Sequence, residues 1–504
     1  MKKVSEKQEK NQKDKKRLDD TGSFNRVSGI LNRLPRYEII ILFIVLFLVY
    51  NTVSGVGLNS GDVAPATLLP VAIVVNHNFY LDFASDFISS PDYTYGFPLV
   101  NGHHVSLFPI VTPVLVTPIY ALSYFLFTVM GGAFGLKELF ILAKTSAAVI
   151  TALAGVFFYL SAKELFSRKI AYLVTFIFAF ATSTWSISSQ ALWQHGTSEL
   201  LLCILFYLII RMEKDHPEKN GLMTFTFALG VLSALFAFNR PADSLLLIPI
   251  LAYMILYQRN GIISYCTGGF IAGIPFLYYN YSVFGHVFGG ESTSLNLFFL
   301  SPAFLVNYLG LLISPNVGLF VYCPILVISF AGFYFIWKSN NSPLKNVFII
   351  AGIACLTEIL LYSFYTPWAA SSAYCYGPRF LTGLIPILCL YSGYFLEEFY
   401  GRNRDKHPGS KRGIVSAVIV GLIIVSVIIQ FIGAFFYMWS FSNQGWTDER
   451  TWDVNDSVII RSYTVGSQEM RGLFVYTLPP LPPLFEYIYP KYLNKSAVAP
   501  VDKT

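Results

Sequence analysis

Long apolar runs separated by short polar linkers repeat along the whole chain, at positions 38–56, 139–160, 170–188, 196–212, 222–239, 243–258, 262–281, 319–337, 346–366, 380–396 and 413–437. A helix needs about 20 mostly apolar residues to cross the hydrocarbon core of a bilayer, and these runs are of that order. The pattern predicts eleven spanning helices. A further apolar run, 107–131, reads LFPIVTPVLVTPIYALSYFLFTVMG. Pro109, Pro113 and Pro118 lie inside it, and proline removes a backbone donor and clashes with the preceding turn. This segment is expected to be re-entrant or interfacial and packed under the loop before it. Irregular backbone at membrane depth is tolerated only where protein buries it or water reaches it.

Basic residues choose between the two counts. The linkers that carry them hold Lys163/Arg168/Lys169, Arg211/Lys214/Lys219, Arg259, Lys338/Lys345 and Arg402/Arg404/Lys406/Lys411/Arg412. With the N-terminus inside and 107–131 not crossing, every one of these linkers is cytoplasmic. The short outer loops then keep only Lys137, Arg240 and Arg379. If 107–131 crossed, the bias would reverse, against the positive-inside rule. Eleven of the 35 basic residues crowd into the first 36 positions. Such a tail has too few apolar groups to fold alone, and it suits an anionic lipid surface on the cytoplasmic side. It does not read as a cleavable signal, because the run after it is of spanning length and no small-residue cleavage site follows. The expected organisation is a basic cytoplasmic tail (1–36), a transmembrane domain (37–439) and an outer tail (440–504). The tail's end, TLPPLPPLFEYIYPKY, reads as a strap along the surface.

Composition agrees. With 54% hydrophobic and 13% charged residues, against about 25% charged in ordinary globular domains, the chain is an all-α polytopic membrane protein. Its net charge of +6 does not indicate a nucleic-acid partner, and its partners are expected among membrane lipids. The six cysteines show no CxxC or metal spacing and lie mostly in apolar runs, where cysteine acts as a small buried hydrophobe.

The first outer loop, 57–106, is the most reactive-looking stretch. It holds Asp62, Asp82, Asp86, Asp92, His77, His103 and His104, and neither lysine nor arginine. Other polar residues gather on the same side. Trp193, Gln194 and His195 open the fourth span, with Glu199 a turn deeper; Arg240 sits in FNRPAD, Glu291 follows span seven, and Trp368, Tyr376 and Arg379 link spans nine and ten. Lys144 lies about a turn into span two. Charges at the membrane lip are costly and often functional, so a one-sided cluster is a site hypothesis. Singly, each has a plain structural reading. Arg379 could snorkel to headgroups, His195 could be a satisfied buried imidazole, and Trp193 and Trp368 could be interface-belt tryptophans. Asp82 and Asp86 have i,i+4 spacing but no third ligand, and the adjacent histidines 103 and 104 lack a partner motif, so no metal site is assigned.

Jointly, these residues suit one chemistry. Guanidinium binds phosphate oxygens bidentately, so arginines near the lipid boundary suit an anionic lipid headgroup. Aromatic faces beside carboxylate, histidine and glutamine suit a sugar. A carboxylate can take the proton from a hydroxyl nucleophile while cations stabilise a leaving phosphate.

The pieces NSGDVAPATLLPVAIV, HHVSLFPIVTPVLVTPIYAL, ALWQHGTSEL, NRPAD, YNYSVFG, LLISPNVGLFVYCP, WAASSAYCYGPRFLTGLIP and WTDERTWDVNDSVIIRSY are spread over nearly all of 38–465. In this order the chain resembles the GT-C glycosyltransferases, integral membrane enzymes that use polyprenyl-phosphate-linked sugars, protein mannosyltransferase-like and aminoarabinose transferase-like enzymes among them. The resemblance implies inversion at the anomeric carbon, a lipid-linked sugar as donor substrate, no cofactor and usually no metal. It makes Asp62 the catalytic base, where many relatives carry an Asp-Glu pair; here Val63 follows. Arg379, with Arg240 or Lys144, would hold the donor phosphate. Trp193, Gln194, His195, Glu291, Trp368, Tyr376 and His103 would serve the sugar or acceptor, and 107–131 would match the juxtamembrane helix of these enzymes. The acceptor could be a lipid, a glycan or a protein, reached at the outer face of the cell membrane. Two other classes stay open: a transporter or flippase for a lipid-linked glycan, and a non-catalytic subunit of an envelope-glycan complex. Secondary transporters usually show repeated halves, and no repeat is visible here. The triplets NDS (455–457) and NKS (494–496) are acceptor sequons, a pattern too common to decide anything.

Overall fold

The computed structural model describes residues 34–53, 60–90, 93–130, 135–300, 302–369, 375–402, 410–437, 448–466 and 475–476. The basic tail through residue 33, the Pro-rich strap and the 494–496 triplet lie outside the described residues. All eleven apolar runs are helical. Seven are simple: α1 (Leu34–Tyr50), α4 (Leu136–Leu165), α6 (Gln194–Asp215), α7 (Lys219–Asn239), α9 (Ile262–Phe284), α12 (Pro343–Ser363) and α14 (Ser410–Phe435). The others are jointed. α5 (Arg168–Phe180) is followed by a π-helical turn, Thr184–Ser188. α8 (Ile248–Tyr257) and α13 (Ile385–Leu396) are entered through the 3₁₀ turns Pro241–Leu247 and Arg379–Leu384, and α11 (Ile328–Lys338) through Pro324–Val327. Prolines mark the 3₁₀ joints: Pro241 and Pro324 open two of the turns and Pro378 precedes the third, while Pro249 and Pro386 occupy the first turns of α8 and α13, where the missing N–H costs nothing.

Among the described residues, eight helices are long and apolar enough to cross a membrane, with five shorter apolar ones beside them. The chain is an integral membrane protein.

The juxtamembrane helices expected in the first outer loop are present, and segment 107–131 differs from expectation in its regularity. The outer loop opens as a helix, α2 (Ala64–Val71), extended by a π-helical turn through Asn76. Segment 107–131 contains a regular 19-residue helix, α3 (Val111–Val129), itself long and apolar enough to span. Pro113 falls in its first turn, where it is harmless, and one interior proline, Pro118, is carried by packing. Val111, Val116 and Tyr120 bury against Ala64, Leu68 and Leu69 of α2, so the expected packing beneath the loop is present. A short helix not foreseen, α10 (Phe304–Ile313), precedes the Ser314–Pro324 stretch.

The two ends of the bundle differ in charge. At one end Glu38 takes Lys163 at 3.0 Å and Arg168 at 3.1 Å, and Glu164 takes Arg211 and Lys214, each at 3.1 Å. These residues lie at the start of α1, the end of α4, the start of α5 and the end of α6. Asp62 follows the opposite end of α1. Near it the tail folds back: Ser314 Oγ donates to the Thr451 carbonyl at 2.7 Å, and Asn316 Oδ1 accepts from Val458 N–H at 3.0 Å.

Candidate active site

Asp62 sits in a 3₁₀ turn, Gly61–Val63, that feeds α2. Ser60 caps the turn by accepting from the Asp62 N–H, and Pro65 follows in the first turn of the helix. The carboxylate therefore stands at a helix start, where unpaired N–H groups favour negative charge. Across the chain, Gly377 adopts φ +75°, a left-handed value that suits glycine, and a Cβ there would come within 2.7 Å of the Tyr322 ring. Pro378 follows, and the bend delivers Arg379 at the start of the next 3₁₀ turn.

The two residues meet. Arg379 Nη1 lies 2.5 Å from Asp62 Oδ2, and the Tyr95 hydroxyl donates to Asp62 Oδ1. Both carboxylate oxygens are engaged. The pair is mostly covered but reachable, with side chains 11% (Arg379) and 20% (Asp62) exposed. The guanidinium lies 5.4 Å from the Trp193 ring centroid and 5.0 Å from that of Phe380, and its Nε–H has no acceptor among the described residues.

Around this centre stand further predicted residues. His195 tilts against Trp193 at 5.7 Å and lies close enough to Arg240 and Arg379 to feel their charge. Its Nδ1 has no hydrogen-bond partner among the described residues. Glu291, in the 3₁₀ stretch Gly289–Leu297, bonds with the Gln194 and Ser294 side chains. Burial pushes its carboxyl above the usual range, Arg240 pulls it down, and the Asp62 charge pushes it up. Arg240 is one residue away from the centre. It pairs with Asp243 at 2.6 Å, donates to the Tyr362 hydroxyl at 2.7 Å and reaches the Phe380 carbonyl at 3.3 Å.

The remaining four are held by partners of their own. Lys144 is buried and donates to the Ser189 carbonyl at 2.5 Å and to Gln190 Oε1 at 3.1 Å. Trp368 packs over Gly310 of α10. Tyr376 is buried against Tyr322 and Tyr437 and donates to the Ile429 carbonyl at 2.7 Å. His103 pairs with Asp82 at 2.7 Å and stacks on Tyr80 at 4.0 Å, in a hairpin whose strands are Leu99–Val100 and His103–His104. Partial desolvation raises the Asp82 carboxyl, but the His104 N–H and the His103 imidazole outweigh it and hold the group below its ordinary value. Among the described residues, no group of three or more His, Cys, Asp or Glu converges as a metal site.

Sequence reasoning missed Tyr95, Asp243, Glu358 and Tyr362. Tyr95 lies in YTYGF within the acidic loop, where nothing marks one tyrosine above its neighbours. Glu358 had a signal, as a lone acid inside the apolar run of α12.

No family model and no curated protein matches the sequence. Solved structures do match. The apo oligosaccharyltransferase of Archaeoglobus fulgidus superposes with TM-score 0.51 at 12% identity, over 82% of this chain and 57% of its own. The same enzyme tethered to an acceptor peptide with an NVT sequon gives 0.52, again at 12% identity, over 83% and 57%. The chain has the GT-C fold. ArnT from Cupriavidus metallidurans bound to undecaprenyl phosphate gives 0.45 at 12% identity, over 86% of this chain and 75% of its own. The chain therefore spans little more than half the length of the archaeal enzyme. Within the GT-C frame, the ion pair stands where the turn after α1 meets the turn before α13.

Proposed function

We propose that this GT-C protein is an inverting glycosyltransferase that moves a hexose or pentose from a polyprenyl-phosphate donor to a hydroxyl of a lipid, glycan or protein acceptor. The observation that carries the reading is the Asp62–Arg379 pair, two residues 317 positions apart joined at 2.5 Å beside Trp193. In this proposal the acceptor oxygen attacks the anomeric carbon and its proton passes to Asp62. The bond from that carbon to the phosphate oxygen breaks, and its electron pair leaves on the phosphate.

Arg379 receives that charge. Its Nε–H has no acceptor among the described residues, and a guanidinium offers five donors, so a phosphate can be taken up there. Competition by the phosphate for Arg379 then frees Asp62 Oδ2 for the acceptor, coupling donor binding to base release. Glu291, Gln194 and His195 line the approach of the sugar or acceptor, and Arg240 adds positive charge behind Arg379. The Glu38/Glu164 end with its lysines and arginines is assigned to the cytoplasm, which puts Asp62 at the outer face.

The test is reconstitution. Purified protein in nanodiscs is given a polyprenyl-phosphate-sugar fraction and a lipid and glycan extract, and products are read by mass spectrometry and NMR. The reading expects a new glycosidic bond of inverted anomeric configuration. Lipid scrambling with no bond formed would overturn it in favour of transport.

A further inference from the structure

Beneath Arg379 lies a second charged group that the proposed chemistry leaves unused. Asp243 and Glu358 are completely buried, on the 3₁₀ turn Pro241–Leu247 and on α12. Glu358 lies close enough to Asp243 and Arg240 to feel both charges, and Asp243 is the acid that pairs with the guanidinium. Burying acids away from water is costly, and such a placement needs a structural return. Neither acid can serve a donor phosphate, which it would repel.

The geometry supplies that return. Arg240 is gripped from below by Asp243 at 2.6 Å and from the side by the Tyr362 hydroxyl at 2.7 Å. Both its terminal nitrogens then reach the Phe380 carbonyl, at 3.3 and 3.4 Å. Tyr362 and Phe380 stack at 5.2 Å with an 18° tilt, Tyr365 meets the Phe380 ring edge-on at 5.5 Å, and the Arg379 guanidinium lies 5.0 Å from its centroid. Asp243 also underlies the same turn, since a Cβ on Gly383 would come within 2.9 Å of its Oδ2.

We propose that Arg240, Asp243 and Tyr362 form a buried clamp on the Phe380 carbonyl that holds the Arg379 guanidinium against Asp62. Arg240 is then a positioning residue rather than a ligand of the donor phosphate. The inference deepens the proposed function and rests on it for the identity of the anion, but the placement of Arg379 is testable without any ligand.

Two readouts test it, on the full chain in nanodiscs. The first needs no ligand: the emission of Trp193, isolated by subtracting the Trp193→Phe form of each variant, reports whether Arg379 still lies on its ring. The second is the affinity for undecaprenyl phosphate, the probe. Tyr362→Phe removes one hydroxyl and keeps the stack; Asp243→Asn removes the charge beneath Arg240. The clamp predicts that both variants shift Trp193 emission toward that of Arg379→Ala. It also predicts that both weaken probe binding about tenfold, the scale of one hydrogen bond to a charged group. In an Arg379→Ala background neither should weaken it further, because a residue that acts through Arg379 has nothing left to act through. An acid acting only by its charge gives the opposite sign, since Asp243→Asn would then tighten anion binding. Tighter binding, unchanged Trp193 emission in Tyr362→Phe, or losses that add fully to Arg379→Ala would each overturn the clamp. If the wild type does not bind the probe, the donor reading fails, and the Trp193 readout decides the clamp by itself. Where Asp243→Asn does not fold, Tyr362→Phe carries the test.

Discussion

At the scale of single residues, the account rests on two side chains doing different work. Arg379→Lys keeps the charge but loses the planar fork and its stacking on Trp193 and Phe380. Affinity for a polyprenyl phosphate should fall about tenfold in titrations, and retention of wild-type affinity would remove Arg379 as its ligand. Glu291 gives a pH test. Its folded-state pKa is raised, so between the ordinary carboxylate value and the raised one the folded state holds more protons than the unfolded state. Stability contributed by the protonated group is therefore present at low pH and lost as pH rises through that window. Glu291→Gln should abolish this decline in thermal melts, with the gain in Tm confined to pH above the ordinary carboxylate range. An equal gain at every pH would mean that packing, not titration, sets the effect. Asp62 and Arg379 were legible in the sequence because polar residues at the ends of apolar runs stand out. Tyr95 and Asp243 were not, since a loop tyrosine looks ordinary until the chain brings it onto Asp62, and an acid three residues after an arginine looks like any local pair. Composition also could not separate Trp193, which touches Arg379, from Trp368, which fills space over Gly310.

At the scale of elements, hydropathy located every predicted span but not the joints within them. The 3₁₀ entries to α8, α11 and α13 follow from proline placement and from hydrogen-bonding partners in neighbouring helices, which periodicity does not encode. The 107–131 run is the instructive case. Three prolines argued for irregular backbone, yet one sits before the helix, one in its first turn and one inside, so only Pro118 carries a full cost. Packing of α7 on α9 depends on glycine. A Cβ on Gly268 would fall 2.2 Å from the Phe227 carbonyl oxygen, and one on Gly230 would fall 1.9 Å from that of Tyr265. Backbones this close are the usual reason for small residues between membrane helices. Gly268→Ala should destabilise by about 1–3 kcal/mol, the cost of overpacking, seen as a lower unfolding midpoint in mild denaturant. An unchanged midpoint would show that the two helices separate at little cost.

At the scale of the whole molecule, alternation of the helices sorts charge between two ends. The basic linkers after α4 and α6 meet Glu38 and Glu164 at the end of the bundle opposite Asp62. Orientation follows from the positive-inside rule and can be read directly. In a Cys266→Ser background, a membrane-impermeant maleimide should label Ser89→Cys in intact cells and Asn340→Cys only after permeabilisation. The reverse pattern would invert the assignment of faces. Fold class was legible because bilayer thickness and backbone satisfaction leave a membrane chain few choices. Sugar and acceptor were not, because their recognition rests on a few polar contacts whose partners lie far apart in the chain. The most direct test of the central claim is the lipid-linked sugar profile, by mass spectrometry, of cells lacking the gene and complemented with wild type or Asp62→Asn. A positioned general base contributes about 10²–10⁴-fold to rate. The account predicts that Asp62→Asn leaves the same polyprenyl-phosphate sugar accumulated as in the deletion, while wild type clears it. A wild-type profile restored by Asp62→Asn would contradict the account.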